Sequence, residues 1–366
     1  MIILSIETSC DDTGVAIVEK RKEGARVLAS ALSSQDEVHK KWGGVHPSEA
    51  KREHQNNLLP TLKKALSDSC FLKKRSAARK INIPEWSDKI TVEKIGGFLS
   101  EYEIKGIDAI AVTVGPGLEP CLWQGINFAR ALSYFLKLPI IPVNHIKGHV
   151  FSFLLQDMSI DFPAIALIVS GGHTELILMN SFHDFRLIGK TRDDAAGECF
   201  DKTARILGLS YPGGPEISKR AKSASSDKYN ITLPRPMINS PNYDFSFSGL
   251  KTAVLYDSKK RKHKDSVYIE EMSKEIEEAI TDVLTAKLKK AMEEYKAKVV
   301  ILGGGVVANK RLREKIKEMT KNRAELLLPE LRFCTDNAEM IGAAATVEKK
   351  RESYDTIKPN ANLTAY

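Results

Sequence analysis

The stretch Ile2-Ile3-Leu4-Ser5-Ile6-Glu7-Thr8-Ser9-Cys10-Asp11-Asp12-Thr13-Gly14-Val15-Ala16-Ile17-Val18 sets two β-rich runs on either side of a polar turn. Aliphatic residues dominate both runs, so the pattern reads as a hairpin. The same plan recurs from Ala164 to Met179, where two apolar runs flank Ser170-Gly171-Gly172-His173. The chain has 366 residues, more than one simple core fills, and each hairpin lies near the start of one half. We therefore expect an α/β protein of duplicated design, two lobes facing a cleft. The first lobe is expected over residues 1–144, joined by a C-terminal helix at about 337–350, and the second over 145–336.

Between the hairpins, 107–114 reads as a strand ending at Gly115-Pro116-Gly117, 125–137 as a helix and 139–143 as a second short strand. In the second half Ile269, Met272, Ile276, Ile280 and Val283 fall at three- and four-residue steps, predicting one long amphipathic helix over 267–297. A strand and glycine loop follow at 298–306, then a helix from about Asn309. Residues 70–92 read as an exposed basic insertion, with Lys73, Lys74, Arg75, Arg79 and Lys80 ahead of Pro84 and Trp86. Such a segment can touch RNA phosphates, and a solvated loop explains it as well.

Composition narrows the classes. Lys and Arg number 55 against 47 Asp and Glu, a moderate basic excess that suits a polyanionic partner without demanding one. The five cysteines are widely spaced and form no CxxC, which argues against a disulfide framework and against a cysteine-based zinc site. No basic leader precedes the first strand, and no apolar run approaches the ~20 residues that span a bilayer. A cytoplasmic protein without membrane contact is the expectation.

Chemistry concentrates at a few places. His145 and His149 stand four apart, and on a helix opening after Asn144 both imidazoles reach one ion. From spacing alone, two surface histidines by chance is the commoner explanation. A zinc peptidase needs Glu directly after the first His, and Ile146 stands there. Asp336 sits at an expected strand-to-helix junction, where it either supplies a third ligand or caps the helix that follows. Two His and one carboxylate leave open positions that suit Fe(II) or Zn(II). The turns Ser170-Gly171-Gly172, Gly213-Gly214-Pro215 and Gly303-Gly304-Gly305 each adjoin a regular element and together favour nucleotide binding, although none matches the phosphate loop GxxxxGK[ST]. Asp11 and Asp12, at the tip of the first hairpin, can accept a proton or simply form the turn. Asp201 reads as a helix-start acid that can also bond a ribose or a threonyl group.

These residues also form a larger pattern. Arg130-Ala131 through Pro139 to His145-Ile146-Lys147-Gly148-His149-Val150 resembles the signature of the family historically called glycoproteases, now the tRNA N6-adenosine threonylcarbamoyltransferases. The likeness runs through Glu7–Gly14, Gln35–His39, Gly43-Gly44-Val45, His54, Gly115–Leu118, Val169–Thr174, Asp201–Ala204, Tyr211–Pro215, Phe245–Lys251, Gly303–Asn309 and Cys334–Asn337. Departures are Asp12 in place of a usual Glu, Glu119-Pro120-Cys121 in place of a small Gly-Ser stretch, Lys147 in place of a frequent Glu, Glu339 in place of Ala, and the long 70–92 segment.

The resemblance implies an actin-like, sugar-kinase-like fold. It assigns His145, His149 and Asp336 to one divalent metal, Fe(II) first and Zn(II) as alternative. It assigns Ile168, Val169, Ser170, Gly171, Gly172, Asp201, Gly214 and Asn309 to threonylcarbamoyl-AMP. It implies transfer of the threonylcarbamoyl group to N6 of adenosine 37 in the anticodon loop of tRNAs that read codons beginning with A. It also implies a degenerate paralogue and a small ATPase as partners. Asp11 or Asp12 is the expected proton acceptor. The alternatives are a carbamoyltransferase on another acceptor and a non-catalytic scaffold subunit.

Overall fold

The computed structural model describes residues 1–86, 88–156, 158–261 and 264–365. It divides into two units: residues 1–38, 45–159 and 336–365, and residues 39–44 and 160–335.

In the first unit, the opening hairpin forms β1 (Ile2–Glu7) and β2 (Asp12–Lys20), paired antiparallel from Ile2 against Glu19 to Glu7 against Gly14. Next come β3 (Ala25–Ser34), a short helix α1 (Asp36–Lys40), α2 (Pro47–Asp68), β4 (Leu72–Lys74), α3 (Lys89–Glu101) and β5 (Tyr102–Ile104). Then follow β6 (Ala109–Gly115), α4 (Glu119–Leu136), β7 (Ile140–Asn144) and α5 (His145–Phe151). The sheet order is β3-β2-β1-β6-β7, with β1, β6 and β7 mutually parallel. Helix α4 starts six residues ahead of the expected 125, because Pro120 is tolerated in a first turn, where its missing N–H has no intrahelical partner anyway.

The second unit repeats this order. Strands β8 (Ala164–Val169), β9 (Thr174–Ser181) and β10 (Asp184–Lys190) form the antiparallel part. After α6 (Ala196–Ile206), α7 (Gly213–Ser223), α8 (Ser248–Lys260) and α9 (Ser266–Glu294), β11 (Val299–Gly303) joins β8 in parallel; α10 (Lys310–Thr320) and β12 (Glu325–Leu327) follow. The order β10-β9-β8-β11-β12 matches the first sheet strand for strand, so the two hairpins are the same element of a duplicated sheet. The stripe read from the sequence is the buried face of α9: Met272, Ile276, Ile280 and Val283 are fully covered in the core of this unit.

The last helix, α11 (Ala338–Val347), returns to the first unit. Small residues let it lie close on the sheet: a Cβ on Gly342 would come within 2.4 Å of Val18, and Ser5 Oγ donates to the Ala338 carbonyl at 2.7 Å. The expected boundary after residue 144 is displaced. Helix α5 packs on α11, and the first unit runs on to Ser159 and takes in Asp336. Among the described residues no helix is long and apolar enough to cross a membrane.

Candidate functional site

Asn144 ends β7 in an extended conformation and its Oδ1 accepts from the Lys147 N–H at 3.1 Å, so α5 begins at His145. That start puts His145 and His149 on one face, their ring centroids 4.8 Å apart and nearly perpendicular. Gly148 weakens the helix intrinsically, but any Cβ there would lie 2.9 Å from Ile341 Cδ1, so glycine lets α5 and α11 approach.

That approach delivers Asp336. Its Oδ1 lies 3.2 Å from His149 Nε2 and 3.5 Å from His145 Nε2. The helix following it is capped by Asn337, whose Oδ1 accepts from the Met340 N–H at 2.8 Å. Capping is therefore not the task of Asp336. Nor does it end a strand, as expected: a single turn of 3-10 helix, Leu331–Phe333, precedes it.

The three side chains suit one ion. Their ligand atoms all lie within 4.8 Å of one another. Two nitrogen or oxygen donors, each ~2.1 Å from a common ion at the tetrahedral angle, stand ~3.4 Å apart. The separations of 3.2 and 3.5 Å fall on either side of that value. His145 is aimed from behind: its Nδ1 lies 3.3 Å from Glu7 Oε2 and 3.1 Å from Ser9 Oγ. A carboxylate on the far nitrogen of a ligating imidazole fixes its tautomer and orientation. Glu7 is fully buried at the end of β1 and accepts from Thr113 Oγ1 at 2.6 Å.

The charges follow from this packing. Burial lowers the His145 pKa, but the carboxylates of Asp336 and Glu7 outweigh it and raise it to about 9. Burial raises the Glu7 pKa, and the His145 charge more than reverses this, leaving it lowered. His149 is held lowered by burial. Asp11 is pushed up to about 6 by burial and by the charge of Asp336. Asp12, the first residue of β2, rises to about 8 through burial, then through Asp11 and Asp336. Burial, with Asp11 beside it, drives the Cys10 thiol well up, so it is no nucleophile at neutral pH.

The residues expected to hold the adenylate all fall in the second unit. Ile168 and Val169 end β8, and Ser170–Gly172 turn into β9, with the Ser170 N–H donating to the His173 carbonyl at 2.8 Å. A Cβ on Gly171 or Gly172 would meet nothing within 4 Å, so packing does not require glycine at either. Gly304 differs: its φ is +94° and a Cβ would sit 2.3 Å from the Val169 carbonyl. Asp201 is not at a helix start but in the sixth position of α6. Its Oδ1 accepts from the Gly213 N–H at 2.7 Å, so it caps the next helix, whose first residues are Gly213 and Gly214. Asn309 Oδ1 accepts from the Leu312 N–H at 2.8 Å, capping α10, while Nδ2 donates to Glu277 at 2.7 Å and Ser218 at 2.9 Å.

Glu7 and Ser9 are the site residues whose roles the sequence does not announce. Each lies more than 130 positions from His145, and no local spacing links them.

Comparison with known proteins gives the family of the chain. The sequence profile described as tRNA N6-adenosine threonylcarbamoyltransferase matches residues 26–75 and 96–343. The protein of that name from Persephonella marina is 43% identical over 361 residues, 98% of this chain and 92% of its own length. Its namesake from Thermosipho africanus is 44% identical over 366 residues, 99% of each chain. Among solved structures, HypF of T. kodakarensis matches 94% of this chain with 47% of its own, at a TM-score of 0.54 and 11% identity. That likeness concerns the fold alone, and the fold is the actin-like, sugar-kinase-like α/β type. By profile and by full-length identity, this chain belongs to the tRNA N6-adenosine threonylcarbamoyltransferase family.

Proposed function

We propose that this protein transfers the threonylcarbamoyl group of threonylcarbamoyl-AMP to N6 of adenosine 37 in tRNAs reading codons that begin with A, with one divalent metal ion held by His145, His149 and Asp336. The observation carrying this reading is the convergence of the three side chains in a chain of this family, with His145 held by a buried carboxylate. An ion bound there supplies Lewis acidity towards substrate oxygens. Fe(II) suits the two-histidine, one-carboxylate set, and Zn(II) is the alternative.

The protein's own groups do the rest. The glycines at 171 and 172, which packing does not require, leave room for backbone N–H groups to meet the anionic part of the adenylate. Asp201 and Asn309 hold the starts of α7 and α10 in place, and Gly214 lies in the first turn of α7. In the transfer, the N6 amine forms a bond to the carbamoyl carbon, and the carbon–oxygen bond to phosphate breaks, releasing AMP with its electron pair. The amine proton passes to Asp11 or Asp12; Asp11, raised to about 6, is ionised near neutral pH and still basic enough to take it, whereas Asp12, raised to about 8, accepts it only once its own proton has left. An anticodon-loop adenosine is unpaired and can be splayed out for the reaction. A degenerate paralogue and a small ATPase are the proposed partners, and the cytoplasm is the proposed location.

The test is direct. The chain, tRNA, synthetic adenylate and Fe(II) are incubated with and without the two partners, and the nucleosides are analysed by mass spectrometry. A threonylcarbamoyl mass gain on adenosine is expected; unmodified adenosine in every combination contradicts the reading.

A further inference from the structure

The segment from Phe71 to Pro84 carries five cations, Lys73, Lys74, Arg75, Arg79 and Lys80, and no acid. The family profile stops at residue 75 and resumes at 96, so Lys73, Lys74 and Arg75 lie inside the matched range and Arg79 and Lys80 outside it. The segment is built into the first unit. Strand β4 pairs with β5, Lys74 against Tyr102. The Arg75 and Arg79 N–H groups donate to the Glu101 and Ser100 carbonyls at 2.8 and 2.9 Å, closing the end of α3. Further on, Trp86 stacks on Tyr354 at 5.6 Å and lies edge-on to Tyr134 at 5.5 Å, with Arg130 over its ring.

Arg75 is partly used, its Nε donating to the Leu99 carbonyl at 3.2 Å. The other four cations are exposed, and among the described residues none of them forms an ion pair. The nearest cross-strand acid, Glu103, is taken by Lys105 at 3.2 Å. Lys63 of α2 adds a further cation, lying 4.8 Å from the Tyr102 ring. The strand that anchors the patch, β5, precedes β6 in the chain, whereas His145 and His149 follow the C-terminal end of β7.

We infer that this anchored basic platform is a second tRNA contact, binding backbone phosphates outside the reacting loop. The inference rests on the transferase reading above. Exposed Lys and Arg with no exposed aromatic anchor suit a phosphate backbone, whereas protein interfaces are depleted in Lys and centred on aromatic residues. Of the aromatic residues beside the cations, Phe71 packs against the core and Trp86 is occupied by Tyr354 and Arg130.

The experiment compares the full-length chain with the variant K73E/K74E/R79E/K80E and with a control that reverses four exposed cations of the second unit, K289E/K298E/K317E/K321E. Affinity is read by fluorescence anisotropy over a range of salt, for whole tRNA and for a single-stranded oligonucleotide of the anticodon-loop sequence. The platform variant should bind whole tRNA about tenfold or more weakly, with a salt slope shallower by about two to four, since each lost phosphate contact removes about 0.9. Its binding to the loop oligonucleotide and its unfolding temperature should match wild type. If the unfolding temperature falls, the same positions as Gln carry the test. Unchanged tRNA affinity and slope, with wild-type modification intact, overturn the inference and leave the transferase reading standing. Loss of an acidic protein partner with tRNA binding unchanged also overturns it. Failure of the wild-type chain to bind or modify tRNA sinks the transferase reading itself.

Discussion

Glu7 Oε2 stands 3.3 Å from His145 Nδ1, and with Ser9 Oγ at 3.1 Å from the same nitrogen it fixes which way the imidazole faces. With Nδ1 engaged, Nε2 is left pointing at Asp336. Glu7→Gln keeps the shape and removes the charge. Such losses typically cost about ten- to a hundredfold in metal affinity. A chelator competition should show a fall of that size with an unchanged far-ultraviolet circular dichroism spectrum. Undiminished affinity would mean that Glu7 does not orient the ligand.

Metal uptake should depend on pH with a known sign. In the metal-free protein His145 holds its proton up to about pH 9, because Asp336 and Glu7 raise its pKa against burial. A ligating imidazole must be neutral, so the ion displaces that proton. Apparent affinity should rise about tenfold per pH unit from about 7 to 9 and level off above. Calorimetry in buffers of differing ionisation enthalpy should count about one proton released per ion bound at pH 7.5.

Asp12 makes the metal-free protein sensitive to alkali. Burial, Asp11 and Asp336 raise its carboxyl from 3.8 to about 8, so the folded state favours the proton. Its contribution to stability is complete below pH 3.8 and is lost as pH rises through 8. Asp12→Asn, neutral throughout, should therefore raise the melting temperature of metal-free protein at pH 8.5 and leave it nearly unchanged at pH 4. If Asp12 is the proton acceptor, the same variant loses transfer activity while binding tRNA normally.

Asp201 joins two helices, so its removal should cost stability as well as substrate affinity. Its carboxylate meets the Gly213 N–H at the start of α7. Asp201→Ala should lose about 1 kcal/mol, as other caps do. It should also raise the KM for the adenylate more than it lowers kcat. Thermal denaturation and steady-state kinetics check the two halves separately.

Much of this design is readable in the chain, and the physical reasons for the remainder are specific. The hairpins of both sheets show themselves because period and turn chemistry are local, as does α9, whose stripe repeats over many turns. The histidine pair is visible for the same reason, being four residues apart on one helix. Asp336 is a candidate in the sequence, but two roles compete for it until Asn337 is seen to cap α11. The boundary at Ser159 is not legible, because it depends on α5 packing against a helix nearly two hundred residues later. The roles of Glu7 and Ser9 escape for the same reason, since parallel pairing brings β1 beside β6, and β6 beside β7, without any repeat in the sequence.

The account turns on one ion at three side chains, and metal analysis of freshly and anaerobically purified protein tests that most directly. Wild type and Asp336→Ala are measured side by side by inductively coupled plasma mass spectrometry, with X-ray absorption on the wild type. We predict about one divalent ion per chain in the wild type, bound to two imidazoles and a carboxylate, and a near-complete loss in the variant. A variant that retains its full complement of metal, or a wild-type spectrum without imidazole ligands, would contradict the site.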